Sequence, residues 1–295
     1  MNNSINRFLV FALMMIGLVG CEANFDPADS VPQSAKSYIT VNAFPLVERQ
    51  KDFIEETQLF YNGTIPDDDL RLRLRAYVYK NNSLVGAMTG LYSRLSDEIK
   101  MSKADLSTDT RYDVIVVADF VMMSGNNIDL EFWAVKDEAN YDNIKLVDQG
   151  YTGLQYRSVG VAYTSIYGGE ETSVDIAGLG MLAYMYFSDI DDSKIESIDY
   201  SWTDVTEYLL GARQAVSTTT YYDTYEVDPN YSGFYDYRYI LPGSDKICEF
   251  GWELHGTSGQ VVSEGDEAIR VTPSDNRIWG VNCSTGAFSN DYYNY

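Results

Sequence analysis

Residues 70–79, LRLRLRAYVY, alternate between two kinds of side chain along their whole length. Leucine, alanine and valine occupy every second position, and three arginines and two tyrosines occupy the positions between them. Because successive side chains of a strand point to opposite faces of a sheet, this period predicts a half-buried antiparallel strand. Residues 81–83 predict a turn, and residues 84–88 are expected to pair back on the strand.

Strand patterns recur on both sides of this stretch. Residues 38–44 predict a strand, and the continuous β-branched run at 112–118 predicts a central strand covered on both faces. Five more strands are expected at 181–187, 195–202, 235–241, 247–254 and 279–283. Glycine, asparagine, aspartate and serine cluster between these runs, which is the spacing of an all-β sandwich protein.

One segment predicts a helix instead of a strand. Asp204 and Glu207 have the spacing of a capping box, and they are followed by a stripe of side chains at helical spacing: Val205, Tyr208, Leu209, Ala212 and Val216. The sequence therefore predicts a short helix packed across the second sandwich. Residues 47–61 form a second, ambiguous helical segment.

The amino terminus has the layout of a secretory signal peptide. Arg7 precedes an apolar run from Phe8 to Val19, and the run is too short for a comfortable membrane span. The residues Leu-Val-Gly-Cys that end at Cys21 are similar to a lipobox, in which the cysteine is acylated and becomes the new amino terminus. An ordinary signal peptide with a chance cysteine, or a signal anchor, is the alternative.

These observations predict four parts of the chain. Residues 1–20 are expected to be a lipoprotein signal peptide, and residues 21–36 a flexible tether that contains proline and small polar residues. Residues 37–150 and 151–295 are expected to form an N-terminal and a C-terminal β-sandwich. The membrane would then be a partner through the lipid at Cys21 alone.

The charge balance excludes one class of partner. The chain has 44 acidic and 21 basic residues, which gives a net charge of −23. A chain with this negative charge is repelled by the phosphate backbone of nucleic acids and by anionic lipid. We therefore expect no nucleic-acid partner. Solubility at a crowded cell surface is the plainest reason for such a charge.

Catalytic and cofactor motifs are missing from the sequence. The only histidine is His255, so multi-histidine zinc sites are excluded, and its position indicates a turn residue. Paired carboxylates could serve a glycosidase, but with 44 acids that condition is too easily met to count. Asp189, Asp191 and Ser193 begin like a calcium loop, yet Lys194 stands at the turn glycine's position, so an EF-hand is excluded and an irregular calcium site stays open. We expect no enzyme activity and no cofactor.

Two further groups of residues are candidate sites. Cys248 and Cys283 fall on the apolar faces of predicted strands and could form a disulfide, or remain two buried thiols. The segment 221–239 is rich in tyrosine, which can stack on sugars, contact proteins or fill a β core and its rim. The candidate ligand-contact residues in it are Tyr221, Tyr222, Tyr225, Tyr231 and Tyr235.

Taken together, these motifs resemble the fimbrillin and fimbrial-anchor lipoproteins of Bacteroidales, which build type V pili. The resemblance rests on the lipobox, on strand 70–79, on residues 112–120 as the family's Y-x-[VL]-x-[VA]-W-A-D strand, and on residues 268–280 as its closing segment. Val117 stands where the family often has tryptophan. Glu22, Asp26 and Asp29 after the cysteine are similar to the surface-export signals of Bacteroidetes lipoproteins.

The resemblance implies a fold and a role. The fold would be two tandem transthyretin-like β-sandwiches, and the role that of a pilus subunit, an anchor or a related adhesin, with fimbrial or other surface proteins as partners. Polymerising members exchange a strand between subunits. Because the tail 288–295 is only weakly apolar, it would make a poor donor strand, which favours an anchor or accessory protein at the outer membrane. The alternatives are a glycan-binding lipoprotein of a polysaccharide-uptake system and, more distantly, a secreted hydrolase with paired carboxylates.

Overall fold

The chain folds almost entirely into β-strands. A computed structural model describes residues 36–43, 46, 69–93, 99–150, 157–243, 245–273 and 275–292. In this part of the chain the strands are β1 (Lys36–Asn42), β2 (Leu70–Lys80), β3 (Ser83–Tyr92), β4 (Ile99–Ala104), β5 (Arg111–Ser124), β6 (Asn127–Glu131), β7 (Trp133–Lys136), β8 (Lys145–Asp148), β9 (Val159–Tyr167), β10 (Glu171–Asp175), β11 (Ala177–Gly178), β12 (Met181–Ser188), β13 (Ile195–Leu209), β14 (Gln214–Glu226), β15 (Phe234–Ile240), β16 (Ile247–Gly256), β17 (Val261–Arg270), β18 (Asn276–Asn282) and β19 (Ala287–Tyr292).

Four sheets pack as two sandwiches. In the first sandwich, sheet I has the strand order β10-β1-β4 and sheet II the order β11-β9-β5-β2-β3, with β6 beside the end of β5. In the second, sheet III has the order β15-β12-β18-β19 and sheet IV the order β17-β16-β13-β8-β7, with β14 on the free side of β13. The predicted all-β sandwich architecture is confirmed, and all nine strands expected from the sequence, including 84–88, are present.

The first sandwich buries the apolar face of β2. Its leucines pack with alternate residues of β5 and with residues of β1 and β4 that face them from sheet I. The other face of β2 was expected to meet solvent, and this expectation is wrong. Arg73, Arg75, Tyr77 and Tyr79 are all buried. Such a strand can be buried on both sides because its arginines meet Asp119, their neighbour on β5.

A third cluster of buried side chains, here called the junction core, covers that second face. It joins Tyr77, Tyr79 and Ile115 of sheet II to Trp133 on β7 and to Leu146 on β8, together with residues of β13 and β15. The two sandwiches therefore share one apolar layer. Residues from 32 onward form a single compact unit.

The chain crosses between the sandwiches more than once. β7 and β8 precede residue 150 but pair in sheet IV, whereas β9, β10 and β11 follow it and pair in the first sandwich. The division into residues 37–150 and 151–295 stays a prediction, and strand pairing crosses it in both directions.

The helix predicted at residues 204–216 is wrong. These residues form the end of β13, a turn and the start of β14, which pair along their whole length. Asp204 does not cap a helix, because its buried carboxylate accepts hydrogen bonds from the backbone of Val205 and Leu241. Glu207 instead pairs with Lys145. Long-range pairing thus outweighs the local helical spacing, and the ambiguous segment 47–61 lies outside the described residues.

The final strand closes an edge of the second sandwich. β19 pairs antiparallel with β18, and Phe288 on it packs into the core of that sandwich. The described part of the tail is thus a strand of its own sheet. Within the described residues, no helix has the length and apolar character to cross a bilayer.

Candidate functional site: a tyrosine face on the second sandwich

The outer face of sheet III carries a block of aromatic side chains. Tyr184 on β12 lies directly opposite Tyr237 on β15, and Tyr186 lies opposite Tyr235 in the next outward-facing row. We call this surface, together with the outward residues of β18 and β19 in the same rows, the tyrosine face. Tyr235 is 54% exposed and Tyr186 is 37% exposed.

The ring of Tyr184 contacts each of the other three rings. The ring centroids of Tyr184 and Tyr186 are 6.0 Å apart with planes 10° from parallel, and those of Tyr184 and Tyr235 are 5.6 Å apart. Tyr237 lies 5.0 Å from Tyr184 and meets Tyr235 edge-on at 5.9 Å. Aromatic pairs are favourable at these separations, so the rings hold each other in place and form a continuous surface.

The inner side of the same strands explains why the tyrosines point outward. Met185 and Phe187 alternate with Tyr184 and Tyr186 and are fully buried in the core of the second sandwich. On β15, Asp236 faces inward and accepts a hydrogen bond of 2.7 Å from the hydroxyl of Tyr200. Because side chains alternate along a strand, these inward anchors leave the intervening tyrosines on the outer face.

The row of tyrosines on β15 continues from the tyrosine face into the interior of the molecule. Tyr239 is buried in the junction core, where its hydroxyl donates to the carbonyl of Val159 and accepts from the backbone N–H of Gly180. Burial raises the pKa of Tyr239 to about 12. The tyrosine face therefore begins at the junction of the sandwiches and becomes more exposed away from it.

The other half of the tyrosine face is small and polar. Gly280 on β18 lies beside Tyr186, and Ser289 on β19 lies beside Gly280. A side-chain carbon at Gly280 would come within 2.7 Å of the Ser289 Oγ. In the following row Asn282 donates a 2.6 Å hydrogen bond to Asp189. The Asn282 oxygen in turn accepts from Ser284 and Thr285, so this amide is engaged within the protein. The rings thus stand beside a low shelf whose exposed polar group is the hydroxyl of Ser289.

The structure separates the five tyrosines predicted as ligand contacts. Tyr221 stacks on Trp202 and donates a hydrogen bond to Asp148, and Tyr225 stacks on Phe234 with ring centroids 4.0 Å apart. Their rings are engaged inside the second sandwich. Tyr222, Tyr231 and Tyr235 are exposed. Of the five, Tyr235 belongs to the tyrosine face.

Tyr222 lies on the opposite side of the second sandwich. It is 79% exposed and borders an open groove of about 550 Å³ on the outer face of sheet IV, floored by Ser201 and Gly251. Four carboxylates line the groove, from Asp199, Glu253, Glu264 and Asp266. His255 lies at the end of β16, and its Nε2 is 3.0 Å from Oδ2 of Asp199.

The sequence missed Tyr184 and Tyr186. Residues 181–187 were identified as an apolar and aromatic strand, which gives no sign of an exposed face because nearly every position is apolar. Only the pairing with Tyr235 and Tyr237, both seen in the alternating run 235–241, shows that four rings share one surface.

Cys248 and Cys283 are both buried in the core of the second sandwich and are free thiols in the structure. Of the two alternatives left open by the sequence, the structure has two buried thiols. Burial raises the pKa of both thiols, that of Cys283 to about 12. A thiol kept protonated by burial is a poor nucleophile.

We therefore expect neither thiol to react in the folded protein. In a chain that begins at Glu22, an aromatic disulfide reagent at about pH 8 should modify neither cysteine before unfolding and both of them in denaturant. A folded chain that releases a stoichiometric amount of dye would contradict this expectation.

Metal-binding clusters concern the residues that the structure describes. No group of three or more histidine, cysteine, aspartate or glutamate residues converges there to hold an ion. Asp191, which opens the calcium-like segment with Asp189, instead pairs with Lys194 and accepts from Ser193. The interaction with Lys194 lowers the pKa of Asp191.

Comparison with known proteins places the fold. No protein-family model and no curated protein matches the sequence. The structure is similar to a candidate polysaccharide-binding protein of Bacteroides thetaiotaomicron, with a TM-score of 0.55 and 10% identity over 87% of this chain and 98% of that one.

Two candidate adhesins are also similar in structure. One, from Bacteroides thetaiotaomicron, has a TM-score of 0.51 and 12% identity over 88% of this chain and 95% of its own. Another, from Bacteroides ovatus, has a TM-score of 0.51 and 9% identity over 86% of this chain and 90% of its own. At such identities the likeness is one of fold, and it agrees with the fold that the family resemblance led us to expect.

Proposed function

We propose that the protein is a non-enzymatic lipoprotein of the outer membrane, exposed at the cell surface, of fimbrial-anchor, accessory or adhesin type. The observation that carries this proposal is the fold, which the chain shares over nearly its whole length with two candidate adhesins. Cys21 would hold the lipid, and residues 21–36 would be the tether. Its partners would be fimbrial or other surface subunits.

The state of the tail supports an anchor or accessory role over that of a polymerising subunit. β19 is already paired with β18 and contributes Phe288 to the core. Releasing it to complete another subunit would break the hydrogen bonds of that ladder and expose Phe288 to water. Donating this strand to another subunit would therefore cost the protein free energy of folding.

A glycan-binding lipoprotein of a polysaccharide-uptake system is the second candidate. The tyrosine face is the observation that favours it, because exposed rings beside a serine hydroxyl suit a sugar as well as a protein. Fimbrial genes beside this gene would support the first proposal, and a transporter pair with glycosidase genes would support the second.

The lipid anchor can be tested by replacing Cys21. We expect Cys21→Ser to abolish incorporation of a labelled fatty acid and to move the protein out of the membrane fraction, because no other acyl attachment is proposed. On intact cells, external protease should degrade the wild-type protein. Cys248→Ser is the matched control and should remain membrane-bound. Membrane retention of Cys21→Ser would contradict the lipid anchor, and protection from protease would contradict surface exposure.

A further inference from the structure

We infer that the tyrosine face is a binding site for a neutral carbohydrate chain, whose sugar rings stack on Tyr186 and Tyr235 and whose hydroxyls reach the shelf of Gly280 and Ser289. This inference rests on the proposed function, since it names the ligand class that such a surface protein would hold. Three properties of the face carry it.

The first property is the arrangement of the rings. Tyr186 and Tyr235 are neighbours on adjacent strands and are exposed, while Tyr184 and Tyr237 support them from the half-buried side. A pyranose ring has an apolar C–H face that gains free energy when it leaves water against an aromatic ring. Because the supporting rings are already in place, the exposed pair needs little ordering when a ligand arrives.

The second property is the hydrogen-bonding shelf beside the rings. Gly280 has no side chain, so no side chain of β18 separates Tyr186 from the Ser289 hydroxyl, which leans over the glycine. Ser289 is exposed there, and within the described part of the chain the hydroxyls of Tyr186 and Tyr235 make no hydrogen bond to protein. A sugar hydroxyl at this edge would therefore find both donors and acceptors.

The third property is the lack of charge. The chain as a whole carries −23, yet in the rows through Tyr184, Tyr186 and Asn282 the only charged residue is Asp291, and the neighbouring Asp189 carboxylate is paired with the Asn282 amide. An acidic glycan or a nucleic acid would be repelled by the whole chain and would meet no cation here. A neutral glycan has no such penalty.

A protein partner would use the same rings in a different way. Protein hot spots place an anchor residue in a well-packed pocket and surround it with residues that exclude water. Here the exposed rings lie on the outer face of a sheet, and the neighbouring positions are a glycine, a serine and an asparagine. This surface suits stacking of an extended chain of hydroxylated rings better than insertion of an anchor.

The test uses the full mature chain in affinity electrophoresis through gels that contain neutral glucan, xylan or mannan, with polygalacturonate as the charged comparison. We expect retardation by at least one neutral polymer, with no change between about 0.05 and 0.5 M NaCl because no ion pair contributes. Tyr186→Ala and Tyr235→Ala should each weaken binding at least about tenfold. Tyr186→Phe and Tyr235→Phe keep the ring and should bind within about threefold of the wild type.

Tyr222→Ala is the matched control, because Tyr222 is more exposed than either ring but lies on the opposite sheet. It should bind like the wild type. The inference is overturned if no neutral polymer retards the chain, or if the variant with both Tyr186→Ala and Tyr235→Ala is still retarded. It is also overturned if Tyr222→Ala abolishes retardation. A fourth contrary result would be that Tyr186 and Tyr235 are needed for binding a protein but not for binding any glycan. A chain that is surface-exposed on cells but is not retarded would sink this inference and leave the proposed function standing.

Discussion

Replacing Arg157 with methionine is expected to lower the free energy of unfolding by about 5 kcal/mol. The guanidinium of Arg157 is buried between the carboxylates of Asp204 and Asp148, at 2.6 Å and 2.7 Å, and it stacks 4.6 Å from the ring of Trp133. It also donates to the carbonyl of Tyr239. Removing this cation leaves two carboxylates in the interior without a counter-charge.

This loss should depend on pH. Burial raises the pKa of Asp204, and Arg157 counteracts that rise. For Arg157 itself, burial acts to lower the pKa, but the charges of Asp204 and Asp148 outweigh it and the pKa is raised. Without Arg157 the pKa of Asp204 should rise further. A carboxyl with a raised pKa in the folded state favours folding at acid pH and loses that contribution as pH rises through the folded pKa. The variant should therefore be closest to the wild type near pH 4 and furthest from it at neutral pH.

Urea unfolding at several pH values measures both effects. Lys145→Met is the matched control, because Lys145 also bridges two carboxylates, those of Asp137 and Glu207, but at the surface. Its loss should be much smaller and should vary less with pH. A double variant with Asp204→Asn should lose less than the sum of the two single losses, since the two residues form one pair. Additive losses would contradict the assigned pairing.

The second large effect is expected at Asp119. Both carboxylate oxygens of this fully buried residue accept from Arg73, and one of them also accepts from Arg75. Asp119→Ala leaves two buried guanidinium groups with one remaining carboxylate, that of Glu131. We expect a loss of about 3 to 4 kcal/mol in free energy of unfolding at neutral pH.

Glu131→Gln provides the comparison, because the Glu131 side chain is partly exposed and contacts the outer nitrogen of Arg73 alone. It should lose at most about 1 kcal/mol. Equal losses for the two variants would mean that the buried position of Asp119 contributes nothing beyond its charge.

Much of the fold follows from period-two patterns that need no partner to be recognised. The alternation of residues 70–79 predicts β2, and the β-branched run at 112–118 predicts a strand covered on both sides. What the alternation cannot show is what covers the second face of β2. Arginine reads as a solvent-facing residue until Asp119 is placed beside it, and that placement depends on the register of β2 with β5.

The candidate site was harder to predict for the same reason. Tyr221 and Tyr235 look equivalent in sequence, yet one faces inward onto Trp202 and the other faces outward beside Tyr186. Which face is inward is decided by strands that lie far away in the chain. The failed helix at 204–216 is a parallel case, since a stripe at helical spacing was outweighed by pairing with β14 and β8.

The place of β1 has a mechanical consequence for the proposed tether. β1 begins at Lys36, directly after the proposed tether, and it lies between β10 and β4 with a hydrogen-bonded neighbour on each side. A pull on the tether along the strand axis loads the bonds of both ladders together, in shear, instead of opening them one after another. Force applied through the proposed tether would therefore enter the first sandwich through a strand that is held on both sides.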